Sequence, residues 1–184
     1  MEAHKEESVT SFISRHVIAA LVFAVLTAVP ASAQSDHPLE VFVGWAPVFA
    51  DHVEDHILAA WALSVSRGGI GPLSPAFDAS GWYFPGSVGS IHNFLGGPRY
   101  SFPTTTGARG FAQLLAGPTV FHAYGTAFGL ALVPGGGVDV PVPNHRFAIR
   151  IQGDYFGMYS PGDYGRHYWG HFWRISTGFV FRPK

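Results

Sequence analysis

The chain of 184 residues carries 11 Lys/Arg against 12 Asp/Glu, a formal net charge of −1, and no cysteine. That balance excludes the basic footprint nucleic-acid binding needs, and the missing thiols exclude disulfides, thiolate metal sites and cysteine nucleophiles. Charged residues reach only 12% while aromatics reach 15%, against the ~25% charge usual in soluble domains, so a soluble sandwich with aromatic core packing would be short of solvated side chains for its outer surface.

The first segment reads as an export signal. Lys5 and Arg15 give a basic start, Val17 to Val29 is an almost purely apolar run, and Pro30 leads into Ala31-Ser32-Ala33, the small-x-small pattern of a signal peptidase site. The apolar run is well short of the ~20 residues of a spanning helix. Residues 1–33 are therefore expected to be removed, leaving one domain over residues 34–184 with nine Lys/Arg and nine Asp/Glu.

From there turn signals recur at intervals of ~10 to 20 residues, the rhythm of antiparallel strands. The spacing predicts eight. The first, about 39–49, sets Val41, Val43 and Trp45 against Glu40, Phe42 and Gly44; the second, about 57–66, sets Trp61, Leu63 and Val65 against Ala60, Ala62, Ser64 and Ser66. The third, about 72–84, alternates Leu73, Phe77 and Tyr83 with Ser74, Asp78, Ser80 and Trp82, although Pro75 removes a ladder donor. The fourth, about 90–102, and the fifth, about 110–121, set Phe94, Pro98, Tyr100 and Phe102, then Ala112, Leu114 and Ala116, against Asn93, Arg99, Gln113 and Thr119. The sixth and seventh form a hairpin: GGGVDV enters the tight PVPNH connection, and RFAIRIQGDYF leaves it with Phe147, Ile149 and Ile151 alternating with Arg146, Ala148, Arg150, Gln152 and Asp154. The eighth, about 171–182, alternates Trp173, Ile175 and Phe179 with Arg174, Ser176 and Arg182.

Gathered together, the small-or-polar faces hold Glu40, Asp78, Asp139 and Asp154 with Arg99, Arg146, Arg150, Arg174 and Arg182. Nearly balanced charge on one set of faces fits the inside of a closed tube, and an eight-stranded tube is just narrow enough to be filled by side chains. The reading is an all-β, eight-stranded antiparallel transmembrane β-barrel whose lumen holds an ion-pair network of those nine residues. Two aromatic girdles are expected at the strand ends, one of Trp82, Tyr83, Phe84, Phe121, Tyr124, Tyr155, Tyr159, Tyr168, Trp169 and Phe172, the other of Tyr100, Phe102, Phe111, Phe147, Phe179 and Phe181.

The runs FLGGPRYSF (94–102), LALVPGGGVDV, RFAIRIQGDYF (146–156) and RISTGFVFR resemble the C-terminal half of small outer-membrane barrels, the OmpA-like, porin-type family with a single eight-stranded domain. The resemblance implies a barrel in the cell outer membrane, in contact with its lipid, inserted by the assembly machinery after delivery by periplasmic chaperones, with short periplasmic turns at 67–71, 103–109 and 142–146.

Sites for chemistry are sparse. His52 with His56 and His167 with His171 have i, i+4 spacing, but neither stretch reads as a helix, so no metal and no cofactor are expected. Some barrels of this kind modify lipid with a Ser-His pair at one rim; Ser90 with His92, or His122 with Thr119, are the candidates here. The glycines 135–137 read as room for close packing in the lumen rather than a ligand cradle. The expectation is a non-enzymatic barrel with a structural or envelope role; the alternatives are a narrow channel or small-solute-binding barrel and, behind that, a lipid-modifying enzyme.

Overall fold

Alternation of β-branched and aromatic residues with small or polar ones, punctuated by Gly and Pro, produces, among the described residues, an architecture made only of strands. The computed structural model describes residues 39–50, 59–68, 71–84, 89–104, 107–123, 125–143, 146–161 and 167–183. The expected signal peptide, the loop carrying His52 and His56, Tyr124 and His145 lie outside them, as do the side chains of His167 and Tyr168.

Nine strands run in the order β1 (Glu40–Trp45), β2 (Val48–Ala50), β3 (Ala59–Ser66), β4 (Leu73–Tyr83), β5 (Ser90–Pro103), β6 (Arg109–His122), β7 (Thr126–Pro141), β8 (Phe147–Pro161) and β9 (His167–Phe181). In the order β1-β3-β4-β5-β6-β7-β8-β9 each pairs antiparallel with the next, and β1 also pairs with β9, so the sheet closes on itself; among the described residues β2 pairs with β9 alone. β1 and β2 are two parts of one barrel strand, expected to be continuous but broken at Ala46-Pro47 by the proline. The break stays tied to both neighbours: Ala46 N–H donates to Ala60 O (3.2 Å), and Pro47 O accepts from Ile175 N–H (3.1 Å). The result is an eight-stranded barrel.

The strands are strongly staggered. Moving from partner to partner from Val41 through Val65, Phe77, Gly96, Ala116, Leu132 and Gly157 leads to His171, whereas Val41 itself pairs with Phe181, ten residues further along β9. Such stagger tilts the strands and sets the width of the tube. Pro75 does not break β4: it lies opposite Pro98, and the β5–β6 ladder passes from Gly96↔Ala116 to Arg99↔Gln113 without a Pro98 step.

β1 starts and β9 ends at what we term the terminal end, where turns join β3 to β4, β5 to β6 and β7 to β8. The opposite, distal end carries the remaining connections. Inward and outward faces follow the expected parity on every strand. Glu40 and Phe42, Ser64 and Ser66, Asp78 and Ser80, Gln113, Asp139, Arg150, Gln152, Asp154, Arg174 and Ser176 are buried inside. The glycines of β7 make room for them, since a Cβ at Gly135 would collide with the Asp154 carboxylate.

Candidate functional site: the barrel interior and its outer wall

Two charged clusters occupy the inside. At the terminal end, Glu40 opens β1 and accepts from Arg109 Nη1 and Arg182 Nε, both at 2.8 Å, with Arg150 at 3.5 Å. Asp139 on β7 is held bidentately by its cross-strand partner Arg150 (Nε to Oδ1 2.7 Å, Nη2 to Oδ2 2.9 Å) and also accepts from Arg182 Nη2 at 2.7 Å. Three guanidiniums thus share two carboxylates. Arg150 also lies over the rings of Phe42 (5.2 Å) and Phe111 (4.4 Å), whose π faces favour a desolvated cation.

The second cluster lies deeper and balances to zero. Arg174 sends Nη1 and Nη2 to the two oxygens of Asp78 across the tube (2.9 and 3.0 Å), and Nε and Nη2 to Asp154 Oδ2 (2.9 and 2.8 Å). Gln152 and Gln113 complete Asp154 through their Nε2 groups, at 2.8 and 3.1 Å. Gln113 Oε1 in turn accepts from Arg99 (2.8 and 3.1 Å), whose other donors go to Ser64 and Ser66 Oγ (2.9 and 3.2 Å). Ion pairs out of water repay their desolvation only when geometry is good and the remaining donors and acceptors are satisfied. The forked contacts meet the first condition, while Arg150 Nη1, Gln152 Oε1 and Ser176 Oγ, buried without a hydrogen-bond partner, leave the second incomplete.

Of the residues expected in the lumen, Glu40, Asp78, Arg99, Asp139, Arg150, Asp154, Arg174 and Arg182 lie in these two clusters. Arg146 does not. It is exposed in the turn before β8, where its carbonyl accepts from Arg182 N–H (2.8 Å); its parity points inward, but the strand has not yet begun. Arg109, assigned from the sequence to a turn, is instead the first residue of β6 and reaches Glu40.

The distal part of the interior is apolar, which sequence reasoning missed. Val48, Trp82, Ile91, Leu95, Leu115, Val133, Phe156 and Met158 form one buried cluster with Phe84, Phe121 and Phe172 packed against it. Trp82 is 0% exposed, with Phe156 edge-on at 4.9 Å and Phe172 at 5.5 Å. Trp82, Phe84, Phe121 and Phe172, expected in one girdle, and Phe111, expected in the other, therefore turn inward. The signal was present: Ile91, Leu95, Leu115 and Phe156 share the inward parity of Arg99 and Asp154.

Outside, Trp45, Trp61, Tyr83, Trp169 and Trp173 are exposed toward the distal end, and Tyr100, Phe102, Phe147 and Phe181 toward the terminal end. Between them run Leu114, Leu130, Leu132, Ile149, Ile151 and Ile175, with Phe128 and Phe179 65% and 66% exposed. A surface this apolar is the reverse of a soluble sandwich. On it, Ser90 Oγ lies 3.3 Å from His92 Nε2, and the His92 and His122 rings are 6.0 Å apart. Thr119 faces inward and donates to Asn93 (2.9 Å), so the His122 pairing with Thr119 is not formed; His122 meets Thr126 instead (3.1 Å). Among the described residues no carboxylate hydrogen-bonds either ring to orient it as a general base, and no three metal-ligating side chains converge. His171 stacks on Tyr155 and hydrogen-bonds its hydroxyl through Nδ1.

A closed antiparallel barrel with its charges inside and its large apolar side chains outside has the fold of a transmembrane β-barrel. No protein-family model matches the chain, and no curated protein matches it in sequence. Among solved structures it is similar to Neisserial surface protein A (NspA), at 15% identity and a TM-score of 0.57 over 83% of this chain and all of that one. It is also similar to Ail, the attachment invasion locus protein of Yersinia pestis, at 13% identity and a TM-score of 0.47 over 81% of this chain and all of that one. The likeness to the Neisserial protein is one of fold alone.

Proposed function

We infer that the protein is an integral outer-membrane barrel with a structural, envelope-maintaining role, exported through a cleaved signal peptide and inserted by the outer-membrane assembly machinery with the help of periplasmic chaperones. The single observation that carries this reading is the direction of the side chains: Ile149, Ile151 and Phe179 face out while Arg150, Asp154 and Arg174 face in. The terminal end, with its short turns, faces the periplasm. The filled interior supports a wall or scaffold rather than a conduit, because an ion entering it would have to displace both the forked Arg-carboxylate contacts and the apolar cluster around Trp82.

The test has two parts. Protein refolded in detergent should migrate as a compact species when unboiled and shift on boiling; a chain that never shows this behaviour is not a membrane barrel. Inserted into a planar bilayer it should be silent, and discrete conductance steps altered by Arg150→Ala or Asp154→Ala would replace the structural role with a channel.

A further inference from the structure

Charge is distributed unevenly along the barrel axis. The deeper cluster of Arg99, Arg174, Asp78 and Asp154 cancels, but at the terminal end Arg109, Arg150 and Arg182 share, among the described residues, two carboxylates, those of Glu40 and Asp139. A further arginine, Arg67, is exposed at the same rim. A surface pocket opens there between the turn after β3 and the starts of β4 and β6, lined by Arg67, Arg109, Ser66, Ser74, Ser101 and Glu40. Beside it Ser101 N–H donates to Pro72 O (2.8 Å), and Gly68 and Gly71 have φ of 56° and 61°, a backbone that side chains disfavour.

Glu40 does not make this pocket acidic. Its carboxylate has three guanidiniums around it, so the local excess is positive. Immediately outside, Leu73 and its cross-strand partner Tyr100 are half exposed on the outer wall, and Tyr100 packs with Phe102 at 6.3 Å. Cationic and hydroxyl groups thus sit one step from aromatic and aliphatic groups, at the level where amphipathic rings mark a membrane interface.

We propose that this rim binds the phosphodiester group of an anionic phospholipid in the periplasm-facing leaflet, with Arg67 and Arg109 meeting the phosphate at the mouth of the pocket, while the acyl chains run along Leu73 and Tyr100. The proposal rests on the membrane-barrel reading above. Charge complementarity selects this occupant: zwitterionic lipid brings a cation of its own toward an already cationic rim, and anionic lipid does not.

The folded full chain in detergent is titrated with phosphatidylglycerol and, separately, phosphatidylcholine, and the lipid retained is counted by native mass spectrometry. Phosphatidylglycerol should be retained preferentially, with the preference falling about fivefold for each arginine removed in Arg67→Gln and in Arg67→Gln/Arg109→Gln. Arg67→Gln leaves every interior contact in place, so it reports on the pocket even where the double variant folds poorly. Equal retention of both lipids by a chain that shows heat-shifted migration overturns the pocket and leaves the barrel standing; loss of heat-shifted migration in the unaltered chain overturns both. Inorganic phosphate displacing the lipid at equal concentration would make this a free-anion site and also overturn the proposal.

Discussion

The two ends of the barrel interior solve one packing problem with opposite chemistry. Toward the terminal end the tube is filled by guanidiniums and carboxylates; toward the distal end it is filled by Trp82, Phe156, Leu115, Val133 and Met158. Both fillings exclude water, but they differ in what they tolerate. An apolar cluster loses energy in proportion to the volume removed from it. A charged cluster loses little when a whole group of partners is replaced and much when one member is taken away, because the remainder is left buried and uncompensated. The terminal half is therefore brittle and the distal half graded.

The sharpest way to break that contrast is Arg174→Met, which strands Asp78 and Asp154 in the interior. A loss of about 3–5 kcal/mol is expected in urea unfolding of the refolded protein. Adding Asp78→Asn and Asp154→Asn should recover part of it, and failure to recover any would refute the charge account. Next comes Leu115→Ala in the distal cluster, expected to cost about 2–4 kcal/mol by the same measurement, with no recovery from changes to neighbouring charges. Gly135→Ala pushes a methyl group into the Asp154 carboxylate, and overpacking of this kind should cost about 1–3 kcal/mol. It should be milder in an Asp154→Asn, Arg174→Met, Asp78→Asn background, where the carboxylate is no longer held in place. The smallest effect belongs to Arg146→Ala: an exposed turn residue should move the unfolding midpoint by no more than about 0.5 kcal/mol, and a loss as large as that of Arg174→Met would put Arg146 back in the lumen network.

Much of this is legible in the sequence. Strand alternation has a period of two, so once Ile149 and Ile151 were assigned outward, Arg150 and Asp154 had to face inward, and closure of the sheet then collected charges from six strands. What alternation cannot supply is height. Arg174 meets Asp78 because of the stagger between strands, a property of the whole ring that leaves no trace in either residue's neighbours. Aromatic residues were misread for a related reason: Trp82 and Tyr83 are adjacent and equally suited to an interface, and only parity separates the one that plugs the tube from the one on its surface. Arg109 and Arg146 were exchanged across the boundary because each lies within a residue or two of a turn, where the start of the strand decides which way a side chain points.

The pairing of Val41 with Phe181 also has a consequence in time. Strands that are neighbours in sequence can zip together by local hairpins, but the ring is complete only when the last strand returns to the first, across almost the whole length of the domain. Until then β1 and β9 are open edges, and the Glu40 contact with Arg182 cannot form. Loop closure over such a distance is entropically expensive and slow. A nascent chain halted before β9 would therefore carry apolar faces and two unpaired edges, those of β1 and β8, at once.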